Sequence, residues 1–187
     1  ADRRLFESLR IEPYYLYSAE QEPLAAMFYE SLIADTRAVA DSLVHGDFSP
    51  KNVLIHNDKI VLLDHEVIHW GDPAFDVGFA LTHFLSKALH IVEQRHLLLD
   101  AASCFLASWG ESLFDRATMQ WPSWVAAAEF RSSRHTLGCL LARVVGRSPL
   151  EYLTTSERNR MREIVFLLMP ELPLRVPQLV HRFRREI

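Results

Sequence analysis

The sequence predicts an α+β chain, mainly α, with one β-hairpin set among helices. Three observations predict it. Apolar residues recur at helical spacing through much of the chain, as in Phe28 with Leu32 and Phe75 with Phe79. Two short runs, Val53-Leu54-Ile55-His56 and Lys59-Ile60-Val61-Leu62-Leu63, flank Asn57-Asp58, a pair that tolerates positive φ; this is a hairpin pattern. With 187 residues, 49% of them hydrophobic, the chain can bury one sizeable core, so residues 1–187 are read as a single domain.

The elements follow in order. Residues 1–10 are a short amphipathic stretch. Residues 11–17, IEPYYLY, are aromatic, interrupted by Pro13, and read as a packed connector. Pro23 opens a helical run to about residue 43, with Phe28, Leu32, Val39 and Leu43 as its buried stripe. After the hairpin, Asp72-Pro73 has the form of a helix start, aspartate as cap and proline in the first turn. The helix that it opens runs to about residue 90 and turns Phe75, Phe79 and Phe84 inward. Residues 92–109 are continuous enough in apolar residues to form a central helix. Residues 110–122 connect, and residues 124–145 form a long helix stopped by Gly146. Thr155 or Ser156 caps a further helix to about residue 169, ended by Pro170, and a last helix spans about 176–185. Residues 140–153, LLARVVGRSPLEYL, read as a helix end and turn and receive no functional role.

The chemistry concentrates in residues 45–76, HGDFSPKNVLIHNDKIVLLDHEVIHWGDPAFD. A hairpin brings its open ends together, so Asn52 and Asp64 are expected side by side, with Asp47 in the loop just before. Asp64 and Glu66 are two apart, which in extended chain points both to one side. Three carboxylates and one amide are thus expected to converge. A few hard oxygen ligands suit Mg²⁺, which shares its shell with water and substrate phosphates. Phosphoryl transfer needs that metal and a carboxylate to orient the attacking hydroxyl. The spacing follows the protein-kinase signature: an aspartate, an asparagine five residues on, and a metal-binding aspartate after a hairpin.

On these motifs the chain resembles the aminoglycoside phosphotransferase family of small-molecule kinases, relatives of choline and methylthioribose kinases. The matching residues are His45-Gly46-Asp47, Asn52, Asp64-x-Glu66 and Gly71-Asp72-Pro73-x-x-Asp76. The resemblance implies the C-terminal, helical lobe of a protein-kinase-like fold and a kinase that phosphorylates a small-molecule hydroxyl acceptor from ATP. It implies Asp47 as the catalytic carboxylate, Asn52 and Asp64 as holders of Mg²⁺ and its nucleotide, and Glu66 as a more remote or second-metal ligand. Asp76 is implied as a brace of the catalytic loop through backbone hydrogen bonds. Lys51 is a candidate to neutralise the transferring phosphate, set against a solvated loop lysine. His45 reads as a packed structural histidine. His56, His65, His69 and His83 lack the spacing of a zinc site.

Kinases of this group hold ATP between two lobes, the smaller supplying a strand lysine and a glycine-rich loop. The lysines here are Lys51, Lys59 and Lys87, and no glycine precedes Gly46. The expectation is therefore a catalytic lobe whose N-terminal nucleotide lobe is absent from these residues, and which alone is inactive. Residues 1–90 hold fourteen acidic and seven basic side chains, residues 91–187 ten and thirteen. The arginine-rich second half argues for a neutral or anionic acceptor. A net charge of −4 argues against nucleic acid as a partner. No run approaches a membrane span and no targeting motif is evident, so a cytoplasmic location is expected. Cys104 and Cys139 read as buried small hydrophobes. The competing readings are a metal-dependent phosphoesterase, with two metals and no role for Asn52, and a non-catalytic interaction module that keeps the lobe's fold.

Overall fold

The computed structural model describes residues 2–187. A helical rod comes first: α1 (Arg4–Phe6) runs through a wide-turned stretch, Glu7–Leu16, into α2 (Tyr17–Gln21). Pro13 accounts for the wide turns, because it has no N–H to give and its ring crowds the carbonyl four residues back. The Tyr17 N–H reaches Glu12 O, five residues back. The stretch expected as a connector is therefore helical, and it buries Ile11, Tyr14 and Tyr15.

A single turn, Pro23–Ala25, leads into α3 (Ala26–Ala38). This helix stops short of residue 43 for a visible reason. The Arg3 guanidinium bonds the carbonyls of Thr36, Arg37 and Val39 at 3.4, 3.1 and 2.7 Å, closing the helix end from outside. The buried face is Tyr29, Leu32, Ile33 and Thr36 rather than the expected Phe28 and Val39. Leu43 is exposed and lies on β1 (Ser42–Val44).

Strand β1 pairs antiparallel with β4 (His69–Gly71), Val44 opposite His69. These strands of three residues are too short to show a period of two in the sequence. The foreseen hairpin is present: β2 (Val53–His56) pairs with β3 (Lys59–Leu62), and Asn57 and Asp58 turn it with φ of 48° and 58°.

The core is built on α4 (Ala74–His90), which packs against α5 (Arg95–Leu113) and α6 (Val125–Val145). Gly78 sets the closeness of α4 to α6: a Cβ there would meet His135 Cβ at 2.5 Å and Thr136 N at 2.7 Å. Helix α5 is peripheral, not central, since it buries only Leu99, Ala102 and Leu106; its apolar residues are numerous but spread around the helix. Helix α7 (Thr155–Leu168) is capped by Thr154, one residue before the expected cap, because Glu157 completes a reciprocal capping box with it. Gly146 ends α6 in an extended rather than left-handed conformation. Helix α8 (Val176–Glu186) closes the chain. Cys139 is buried as expected, but Cys104 sits on the outer face of α5 and is exposed. The whole is mainly helical with small antiparallel ribbons, as the fold class requires, and among the described residues no helix is long and apolar enough to cross a membrane.

Candidate active site

The β1–β4 ribbon delivers the chain to His45, where the loop begins. Asp76, in the first turn of α4, accepts the backbone N–H groups of His45 at 2.7 Å and Gly46 at 2.9 Å. Desolvation nonetheless outweighs these bonds and raises the Asp76 carboxyl to about 6. The His45 ring locks the loop from the other side. Its Nδ1 accepts the Asp47 N–H at 3.2 Å, so its Nε2 carries the proton that is donated to Leu63 O at 3.0 Å. His45 is thus structural, as expected. Gly46 has φ of +77°, and a Cβ there would strike Val67 Cγ1 at 2.8 Å, so only glycine makes this bend without strain.

Asp47 is buried, 5% exposed, and three cationic or amide donors meet its carboxylate. Asn52 Nδ2 donates at 2.8 Å, Lys51 Nζ lies at 2.9 Å and Arg10 Nη2 at 3.3 Å. Asn52 Nδ2 also reaches Asp47 O at 2.9 Å, and a single turn, Pro50–Asn52, sets that geometry. Lys51 therefore touches the aspartate, although its side chain is 64% exposed. Arg10 fixes the loop twice, since its Nε also donates to Gly46 O at 2.6 Å. Sequence reasoning missed Arg10. It lies 37 positions before Asp47 and follows no spacing rule; only the helical rod around Pro13 brings it here.

The hairpin ladder runs one rung beyond Val53–Leu62, through Leu63 N–H to Asn52 O at 2.9 Å. Asp64 follows directly, so the backbones of Asn52 and Asp64 lie at the same end of the hairpin, as expected. The extended geometry expected beyond it is not found. Asp64 has φ of 63°, Glu66 sits in a turn closed by Ile68 N–H to His65 O, and both are exposed. The alternation that would aim the two carboxylates to one side is broken by that left-handed residue. Among the described residues no three His, Cys, Asp or Glu side chains gather as a metal cage, so the expected convergence of Asp47, Asp64 and Glu66 is corrected.

Asp72 stands at the start of α4, just before Pro73 in the N-cap position. It accepts the Ala74 N–H at 3.0 Å and pairs with Arg131 at 2.7 Å. Its buried carboxyl is lowered to about 2, desolvation being outweighed by His135 and Arg131 together.

Residues 2–121 match the model of the phosphotransferase enzyme family. The chain belongs to this family. No curated protein matches it. The matched residues take in the loop at Asp47, the hairpin, α4 and α5, and end before α6. A cavity of this phosphotransferase, about 620 Å³, is mostly apolar and lined by Phe48, Phe105 and Trp109 among others. It lies behind the loop, against His45 and Asp76, and none of the groups that contact the Asp47 carboxylate lines it.

Proposed function

We propose that the chain is the catalytic and acceptor-binding lobe of an ATP-dependent kinase that phosphorylates a hydroxyl group of a small molecule. One observation carries the reading: a buried aspartate, pinned by Asn52, Lys51 and Arg10, stands beside the hairpin end that bears Asn52 and Asp64.

In this reading Asp47 accepts a hydrogen bond from the acceptor hydroxyl and orients its oxygen in line with the γ-phosphorus. As the new P–O bond forms and the bond to the ADP oxygen breaks, the hydroxyl proton passes to Asp47. Lys51 is long and mostly exposed, and it swings between Asp47 and the transferring phosphoryl group. The residues fit Mg²⁺. Asn52 spends its Nδ2 on Asp47, which leaves Oδ1 for a cation, and the exposed Asp64 adds a carboxylate oxygen. Glu66, from its exposed turn, serves a second metal or acts through water. Mg²⁺, when bound, neutralises charge on the β- and γ-phosphate oxygens. Contacts to the α- and β-phosphates are assigned to a nucleotide lobe outside these residues.

ADP release with a panel of hydroxylated acceptors, using protein that includes a nucleotide lobe, tests the reading. Asp47→Asn is expected to lose most turnover with Mg·ATP affinity little changed, while Asp64→Asn weakens Mg·ATP as well. Equal and mild effects of the two substitutions would refute these roles.

A further inference from the structure

Helix α4 carries more than the brace for the loop. Asp76, Phe79, His83 and Lys87 follow one another at intervals of three, four and four, a single stripe on one face. Asp76 holds the loop at His45 and Gly46. The Phe79 ring is shared by two guanidinium groups: Arg10, which pairs with Asp47, lies 5.6 Å from its centroid, and Arg143 of α6 lies 5.7 Å from it. The same two arginines also lie over Tyr14, at 5.8 and 5.0 Å. His83 stands edge-on to Phe79 at 5.3 Å. Lys87 comes one turn further along, half-buried. Asp47 is thus linked, through Arg10 and two rings, to Arg143.

These groups lack partners of the kind their chemistry calls for. Arg143 Nη1 donates to Ser148 O at 2.8 Å, but its buried Nε has no acceptor. His83 Nε2 is buried and unpartnered, and so is Ser49 Oγ, two residues after Asp47 in a side chain 2% exposed. Among the described residues neither Arg143 nor Lys87 has a carboxylate within ion-pair distance, although most arginines of the second half do. Burial above all lowers the His83 ring to about 4, so it is neutral near pH 7. Buried donors without acceptors are costly, and a ligand that supplies acceptors recovers that cost.

We infer that Arg143 and Lys87, with His83 between them, form an anion subsite beside Asp47, and that the acceptor of this kinase carries a carboxylate or phosphate group in addition to the hydroxyl that is phosphorylated. The inference rests on the proposed function only for the word acceptor; the subsite itself stands on the cluster. Both cations project from rigid, well-packed helices, so the anionic group would fix the acceptor's orientation and present its hydroxyl to Asp47. A polycationic acceptor is disfavoured by the same charges.

Inorganic phosphate and, separately, acetate are the probes, since neither demands a particular acceptor shape. Each is titrated at constant ionic strength into the purified chain, with the Arg143 Nε–H and His83 ring resonances followed by NMR. The expected result is a saturable shift of both resonances, weakened about fivefold or more in Lys87→Gln, the effect of one partly shielded charge, and unchanged in Arg185→Gln, an exposed charge on α8. Lys87 is half-buried and unpaired, so its substitution is tolerated; Arg143→Lys, which keeps the charge while testing the guanidinium, is the second variant. No saturable shift, or a shift as strong in Lys87→Gln as in the unaltered chain, overturns the subsite. A phosphate effect that depends on Lys51 and not on Lys87 assigns the anion to the transferring phosphoryl group and overturns it equally. The two readings fail separately. Anion binding without any phosphoryl transfer by the two-lobed protein leaves the subsite and removes the kinase, whereas efficient transfer to a cationic amino sugar leaves the kinase and removes the subsite.

Discussion

Asp76→Asn changes one atom and removes a pH dependence. In the folded chain the Asp76 carboxyl is raised from 3.8 to about 6, so between these values the folded state binds more protons than the unfolded state. Stability from this group is therefore greatest at low pH and declines as pH rises through that window. The shift corresponds to at most about 3 kcal/mol at pH 7, less to the extent that its edge in the cavity wall stays hydrated. Asparagine removes the buried charge but turns one N–H pair toward the loop, so a backbone donor of His45 or Gly46 loses its acceptor, at about 1–3 kcal/mol. The two terms nearly cancel near pH 7. At pH 4.5, where taking up the proton on folding costs only about 1 kcal/mol, the variant should be the less stable by up to about 2 kcal/mol. Urea unfolding of both proteins from pH 4.5 to 7.5, followed by the fluorescence of the four tryptophans, gives the difference directly. Asp72 supplies the opposite sign: its carboxyl is lowered to about 2, so its stabilisation is present above pH 3.8 and lost as pH falls toward 2. A stability gap between Asp76→Asn and the unaltered chain that stays constant from pH 4.5 to 7.5 would refute the burial argument for this carboxylate.

Three further outcomes are expected. Gly46→Ala places a Cβ 2.8 Å from Val67 Cγ1 at a φ of +77°, and should cost about 2–4 kcal/mol in unfolding experiments and most of the activity, as left-handed strain and overpacking add. Arg10→Gln removes the 3.3 Å ion pair to Asp47 and the bond to Gly46 O, and should lower turnover of the two-lobed protein roughly 10–100-fold with little change in Mg·ATP affinity, as misplacement of a reacting group does; an unchanged turnover removes Arg10 from the site. Isothermal titration of the 187 residues with Mg·ATP should show only weak binding, because in the proposed function Asn52 and Asp64 hold the metal largely through phosphate oxygens; micromolar affinity would show that the nucleotide is held within these residues.

Much of the site was legible because its signals are local. Asn57-Asp58 announced the hairpin, and the hairpin fixed the neighbourhood of Asn52 and Asp64. Asp47 and Asn52 were found from a spacing of five, which the turn at Pro50–Asn52 converts into direct contact. The expected aim of Glu66 failed, since alternation holds only in extended chain and Asp64 is left-handed. What stayed hidden depends on distant partners. Arg3 ends α3, and Arg10 seats Asp47, each across more than thirty residues. The β1–β4 ribbon is held by a pairing of three-residue strands that carry no periodic signal of their own. The centrality of α6 over α5 follows from Gly78, whose missing side chain is informative only once the facing helix is known.

That missing side chain also explains why the chemistry lies where it does. Helix α4 is buried on most of its circumference, so it can neither rotate nor slide without breaking its contacts with α5 and α6. Its remaining polar stripe is thereby fixed in azimuth. Asp76 at one end of the stripe sets the height of the catalytic loop through two backbone N–H groups. His83 and Lys87 at the other end lie two and three turns further along the same axis, about 10 and 16 Å away at 1.5 Å per residue. The close approach at Gly78 draws α6 in and brings Arg143 over the Tyr14 and Phe79 rings. Loop, aspartate and cations are therefore measured from one rigid rod. The exposed parts of the site, Lys51 and the turn bearing Asp64 and Glu66, are those that the proposed function sets against the nucleotide, whose contacts must form and break in each cycle.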